Sequence, residues 1–278
     1  MKILVIRFSS FGDVLLTSPV LKKIKQVYPD AKIDFLVYDA FSEAITDNPN
    51  LEKVHIFSKK NSKDFEYINK LIETLKKEKY DCIIDLHSKL LSRYIGKKLK
   101  TKYIRYSKRK WWKSIFVKLR LIRYKADAPI IIQYFKPLKK LDIFYENEKV
   151  EFFFNLPIED NLNKKYNLSE DYVVLAPGAS KNTKKWIYFN ELANLIQKNM
   201  NLKIYIIGGK EDFGVVKENE NIIDLSGKLS YKESGVLLKY AKFSVTNDSG
   251  PFHISVGVGT KTFVFFGPTD SGMFIFSP

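Results

Sequence analysis

The chain has 278 residues, 45% of them hydrophobic, which is enough apolar material for a packed core and argues against global disorder. Its one cysteine, Cys82, excludes a disulfide framework or a cysteine-based zinc site within a single chain and suits a reducing compartment. The net charge of +16 points to an anionic partner (nucleic acid, a membrane surface or a phosphorylated substrate), although lysine is frequent throughout and part of the excess reads as ordinary solvated surface.

Short β-branched runs alternate with segments of helical period, the pattern of an α/β protein with mostly parallel sheets. Strands are expected at 2–7, 32–37, 54–57, 81–86 and 103–106. Between them, Leu16, Val20, Leu21, Ile24 and Val27 share one helical face, as do Ile68, Leu71, Ile72 and Leu75. The composition then shifts to a dense run of lysine and arginine over 97–125 that also holds Trp111 and Trp112, followed by a proline-bearing, acidic stretch. A domain boundary is expected there, giving an N-terminal domain over 1–155 and a C-terminal one over 156–278. The second half repeats the pattern, with strands expected at 172–176, 202–207, 222–225, 243–246 and 262–266. Helices are expected at 187–198, 231–240 and from Gly250 onward. A second half of this kind normally runs on through a further helix, so the chain reads as a truncated product.

No apolar run approaches the roughly 20 residues of a membrane span. The run Ile3–Ile6 is ended by Arg7 too soon for a secretory signal, and the N-terminus reads as the first strand of a cytosolic protein.

Chemistry is expected at strand ends. Ser9-Ser10-Phe11-Gly12-Asp13 follows the first strand and opens a helix, whose free N–H groups favour an anion; Asp13 reads equally as a helix cap and as a functional carboxylate. Pro177 to Trp186 follows a strong strand and combines Gly178, Ser180 and Thr183 with Lys181, Lys184 and Lys185, a phosphate-binding composition, before a helix beginning at Trp186. Asn247-Asp248-Ser249-Gly250-Pro251-Phe252-His253 again joins a strand to a helix start, with capping by Asp248 and Ser249 as the competing reading. Gly208-Gly209-Lys210-Glu211-Asp212 and Gly267-Pro268-Thr269-Asp270 are weaker turns of the same kind. The three histidines, His55, His87 and His253, lie in separate segments without ligand spacing, so no metal site is expected.

In this order the segments resemble the heptosyltransferase family, glycosyltransferase family 9, whose members build the inner core of bacterial lipopolysaccharide. The resemblance rests on Phe8 to Pro19, Asp85-Leu86-His87, Pro177-Gly178-Ala179 with Lys184-Lys185-Trp186, Ile207-Gly208-Gly209, Asn247 to His253 and Gly267 to Asp270, nearly the whole chain. It implies an α/β fold of the GT-B type, two Rossmann-like domains facing across a cleft, with the acceptor on the first and the nucleotide sugar on the second. It implies an inverting, metal-independent transfer from a nucleotide-diphosphate sugar, ADP-heptose in the best-known members, with no cofactor. By the resemblance Asp13 is the general base and Lys184 the cation that stabilises the donor diphosphate. Ser10, Gly12, Gly178, Ser180, Asp248, Ser249, Gly250, Phe252 and His253 bind the donor, Leu229 lies beside the adenine, and Glu211 or Asp212 lies near the ribose. The expected partners are the donor, an anionic lipid-linked saccharide and the inner face of the cytoplasmic membrane, met by the basic 97–125 stretch; no nucleic acid is expected. The chain departs from the family in having Gln133 or a neighbour where a histidine is usual, in Pro251 and in its early end. A non-catalytic basic module on the same scaffold, binding a nucleotide sugar or nucleic acid, is the alternative reading.

Overall fold

A computed structural model of the protein describes residues 1–107 and 128–267. Trp111, Trp112 and Pro268 to Asp270 therefore lie outside the described residues. The chain divides into two units. Of the described residues, 1–42 and 49–148 form the first, and 43–48 with those from 149 onward form the second.

The first unit opens with β1 (Lys2–Ile6), whose residues after Lys2 are fully buried. α1 (Phe11–Leu15) and α2 (Ser18–Val27) lead to β2 (Lys32–Tyr38) and β3 (Lys53–Phe57). Asp64 caps α3 (Phe65–Lys77) by accepting from the Glu66 and Tyr67 amides, and β4 (Cys82–Asp85), α4 (Leu90–Lys98) and β5 (Lys102–Arg105) follow. All five strands are parallel, in the order β3-β2-β1-β4-β5. Burial on both faces explains why the central strands β1, β2 and β4 read as continuous apolar runs rather than alternating ones. Leu4, Ile6, Leu36 and Ile83 pack against Ile68, Ile72 and Leu75 of α3. α4 sits close on β5 because a Cβ at Gly96 would come within 2.3 Å of the Tyr103 ring. α5 (Ile130–Phe135) and a 3-10 turn, Lys136–Leu141, complete the unit's described helices.

The second unit begins with α6 (Leu156–Tyr166) and then repeats the plan: β6 (Tyr172–Ala176), α7 (Phe189–Met200), β7 (Lys203–Ile206), β8 (Ile222–Asp224), α8 (Tyr231–Tyr240), β9 (Phe243–Asn247), α9 (Gly250–Gly257) and β10 (Thr262–Phe265). Its strands are parallel in the order β10-β9-β6-β7-β8, the same permutation as in the first unit. Residues 43–48 belong to this unit because of Lys232 on α8. Its buried ammonium donates to Thr46 O and Phe153 O at 2.6 Å and pairs with Asp47 at 3.2 Å. Burial pulls this lysine's pKa down, and the Asp47 and Glu43 charges oppose that pull.

The strand order sets where ligands can bind. In each sheet the chain starts at a central strand, runs to one edge and returns to the strand on the other side. Chains leave the neighbouring strands β1 and β4, and likewise β6 and β9, in opposite directions, opening a crevice at the carboxyl ends. The four segments after these strands are the Ser9–Asp13 turn, Leu86–His87, Pro177–Ser180 and Asp248–Ser249.

Candidate active site

In the first unit the site grows from the end of β1. Ser10 holds the N-cap position of α1, and the Ser9–Ser10 peptide bond is cis. Asp13 accepts from the Ser10 hydroxyl at 3.0 Å and, at a longer 3.4 Å, from the Ser10 amide. Asp13 therefore does act on the cap, but its shortest contact is elsewhere: the Arg7 guanidinium, 2.6 Å from the carboxylate. Arg7 is itself buried, donates to Leu86 O at 2.8 Å and lies over the Tyr134 ring of α5 at 5.5 Å. It thus ties the turn after β1 to the turn after β4. Burial pushes the Asp13 carboxyl up, but the Arg7 charge and the Ser10 hydrogen bonds outweigh it and hold the group below its ordinary range. Asp13 is ionised at neutral pH and its side chain is 35% exposed, so a ligand can reach it.

Neighbouring residues are structural supports. Phe8 packs on Tyr38, Phe57 and His87 beneath the turn. Asp85 is buried and accepts from the His87 and Ser88 amides, the Ser92 hydroxyl and the Tyr103 hydroxyl, so it fixes the turn after β4. Gln133 accepts from the Tyr106 hydroxyl at 2.7 Å and donates to Ala128 O. Among the described residues, one trio (Asp34, His55 and Glu78) brings possible metal-ligand atoms within 4.8 Å of one another. The Lys2 ammonium already supplies a cation there, 2.5 Å from Glu78 and 3.6 Å from Asp34.

In the second unit four strand ends converge. Lys184 ends a short 3-10 turn, Asn182–Lys184, and its ammonium lies 2.5 Å from Asp248, which is only 5% exposed. Asn247, fully buried, donates to Pro177 O at 2.6 Å and accepts from the Trp186 amide at 3.1 Å, binding the loop after β6 to the end of β9. Trp186 stacks on Phe265 of β10 at 4.1 Å. This pairing corrects the expected helix start: α7 begins at Phe189, not at Trp186, because the tryptophan's ring and amide are both engaged outside a helix. Gly267 lies against the same turn, since a Cβ there would meet Thr183 O at 2.5 Å.

Lys185, like its neighbour, is held by a buried carboxylate: it pairs with Asp212 at 3.1 Å. Asp212 also accepts from the Gly209 amide at 3.0 Å and is 3% exposed. Gly178 and Gly208 close on this carboxylate from two loops, where Cβ atoms would stand 2.1 and 2.8 Å from its Oδ2. Of the two candidate ribose carboxylates, Glu211 is exposed and Asp212 is built into the loop. Leu229, half-buried, precedes Ser230, which caps α8 by accepting from the Glu233 amide.

Capping by Asp248 and Ser249 is not realised. Ser249 occupies the N-cap of α9, but its hydroxyl donates to Asn247 O at 3.2 Å instead of capping, and Asp248 turns to Lys184. The helix start of Gly250, Pro251, Phe252 and His253 therefore has no side-chain cap, as an anion-accepting terminus requires. Ser180 is exposed on the facing loop. Arg7 and Tyr134 stand outside the motifs read as sites in the sequence, and Asn247 stands inside one without a role of its own. A charge closing an apolar strand and an asparagine before Asp-Ser-Gly are weak local signals; Tyr134 has none.

Residues 68–275 match the model of glycosyltransferase family 9 (heptosyltransferase). The chain belongs to glycosyltransferase family 9. Lipopolysaccharide heptosyltransferase 3 of Escherichia coli K12 is 29% identical over 93% of this chain and 80% of its own length. Lipopolysaccharide heptosyltransferase 1 of Campylobacter coli is 25% identical over 98% and 85%. Among solved structures, a family 9 glycosyltransferase from Veillonella parvula superposes with a TM-score of 0.81 at 19% identity, covering 97% of this chain and 82% of that one. The E. coli heptosyltransferase WaaC with ADP gives 0.72 at 20% identity, covering 97% and 88%. The fold is the GT-B type of α/β architecture, and this family 9 protein is a glycosyltransferase enzyme.

Proposed function

We propose that this family 9 enzyme transfers a heptose from ADP-heptose to an anionic lipopolysaccharide-core acceptor at the inner face of the cytoplasmic membrane, with inversion and without a metal. The relatives' names support the sugar and the acceptor, and one solved relative is described with an ADP-linked fluoro-heptose. The observation that carries the reading is the pairing of Lys184 with Asp248 beside the uncapped start of α9. A diphosphate arriving there meets an ammonium and backbone amides and displaces a carboxylate from the lysine. Those groups stabilise the charge that develops on the departing ADP without needing a divalent ion.

The second unit then acts as donor domain. Ser180, Ser249 and the backbone amides at the start of α9, Gly250, Phe252 and His253, meet the phosphates, Gly178 and Asp212 shape the loop beside them, Glu211 takes a ribose hydroxyl and Leu229 meets the adenine. The first unit acts as acceptor domain. Asp13, ionised and partly exposed, accepts the proton of the attacking hydroxyl as the new glycosidic bond forms and the sugar–phosphate bond breaks. Ser10 and Gly12 shape its turn.

The test is transfer itself. Purified protein with a core oligosaccharide acceptor and excess EDTA is expected to consume ADP-heptose, release ADP and give a product of inverted anomeric configuration by NMR. Thermal stabilisation should be greater with ADP-linked than with GDP- or UDP-linked sugars. Transfer that stops with EDTA, or retained configuration, overturns the metal-free inverting reading.

A further inference from the structure

Basic charge on this chain is concentrated. Residues 86–126 carry fifteen of the 47 Lys and Arg and none of the 31 Asp and Glu. The rest of the chain has 32 cations against 31 carboxylates, so nearly all of the net +16 sits in that one stretch. A lysine-rich composition would spread the excess; this distribution does not.

Its described part is the turn before α4, α4 itself and β5. Ser92, Ile95 and Gly96 face inward, while Leu90, Arg93 and Lys97, spaced i, i+3, i+7, form one exposed stripe, flanked by exposed Lys89, Lys98 and Lys100. Leu90 is 84% exposed at the head of this stripe. Among the described residues, no carboxylate pairs with Lys89, Arg93, Lys97 or Lys100; Lys98 lies over the Tyr94 ring.

We propose that the exposed face of α4 docks on an anionic lipid bilayer, with Lys89, Arg93 and Lys97 at the phosphates and Leu90 entering the headgroup region. Charge complementarity selects an anionic partner. The uncharged member of the stripe is aliphatic, which suits an interface with hydrocarbon beneath it; a single-strand nucleic-acid surface would offer aromatic faces for stacking. The topology gives the contact a use, which rests on the acceptor reading of Asp13 proposed above. β1 and β4 are parallel neighbours, so α4 begins at the same sheet edge as Asp13, and Arg7 bonds both Asp13 and Leu86 across that edge. A lipid-linked sugar held at the bilayer would then emerge on the side of the base.

The experiment measures partitioning of the whole chain onto phosphatidylcholine vesicles with and without phosphatidylglycerol. Wild type is expected to bind only the anionic vesicles and to be released by salt. K89Q/R93Q/K97Q should bind roughly a hundredfold more weakly, about fivefold per charge. L90A at unchanged charge should bind about tenfold more weakly. A control, K60Q/K63Q/K198Q, removes equal charge from exposed positions of the balanced remainder and should lose less than about fivefold. Equal loss in both triple variants, an unchanged α4 variant, or an α4 variant that loses RNA binding while keeping vesicle binding overturns the proposal. Melting temperatures check folding. The α4 variant should transfer sugar to a soluble, delipidated acceptor at the wild-type rate. If wild type binds anionic vesicles but transfers nothing, the proposed function fails and the docking surface stands.

Discussion

The two halves share a strand order, yet their switch points carry opposite chemistry. After β1 the sheet edge presents a carboxylate held by a buried arginine; after β6 and β9 it presents an ammonium held by a buried carboxylate. In both cases the charge exposed to a ligand is kept in place by a deeper partner of opposite sign. The same scaffold thus presents a carboxylate at one edge and an ammonium at the other by exchanging which sign is buried. The comparison also separates exposed groups from supports: Asp13 and Lys184 are reachable, whereas Arg7, Asp85, Asp212 and Asn247 position the loops.

Mutation can break that contrast. The largest effect is expected from Asp13→Ala, which should lower kcat by about 10²–10⁴ while ADP affinity, measured by calorimetry, stays put. Equal loss of ADP binding would place Asp13 on the donor side instead. Next, Lys184→Gln should lower kcat by about 10²–10³, the scale of one lost stabiliser of developing charge. It also strands Asp248, so the double variant K184Q/D248N should recover melting temperature without recovering turnover. Recovery of both would reduce Lys184 to a structural partner. Gly178→Ala forces a methyl into the Asp212 carboxylate and should destabilise the fold by about 1–3 kcal/mol in a urea titration, in keeping with overpacking. An unchanged midpoint would show that the loop yields.

The smallest effect sharpens the comparison most. Removing the Arg7 charge leaves burial, which raises the Asp13 pKa, without its main opponent. In Arg7→Gln the acid limb of the kcat/KM profile should therefore move to higher pH. The sign for stability follows from the same shift. Asp13 in the wild type is depressed, so its contribution is present above the unfolded carboxylate pKa and is lost as pH falls through the lower folded value. Arg7→Gln should lose that acid sensitivity, measured as a flatter dependence of melting temperature on pH below about 4.

Much of this was legible in the chain. Apolar runs such as Ile3–Ile6 and Val173–Leu175 are local signals of buried parallel strands, and their expected positions agree with β1 and β6 within a residue or two. The small-residue segment after β1 leads straight into α1, which takes in Gly12, and the strand-then-glycine turns at Gly178 and Gly208 also read directly. The start of α7 did not, because Trp186 follows the period of the helix but is drawn out of it by Phe265 and Asn247, residues distant in sequence. Asp212 looked like an available carboxylate, and its burial between two glycines was invisible without the fold.

By itself, the sequence determined two α/β halves, the family and the short list of strand-end residues. Periodicity, glycine at tight turns and motif order are written in neighbouring positions. Only the tertiary structure decided which charges are spent and which are offered. Lys184 finds Asp248 and Arg7 finds Leu86 across strand pairs, β6 with β9 and β1 with β4, that the chain order alone does not specify. A charge's role depends on the partner that burial brings to it, and burial is settled when the sheet assembles.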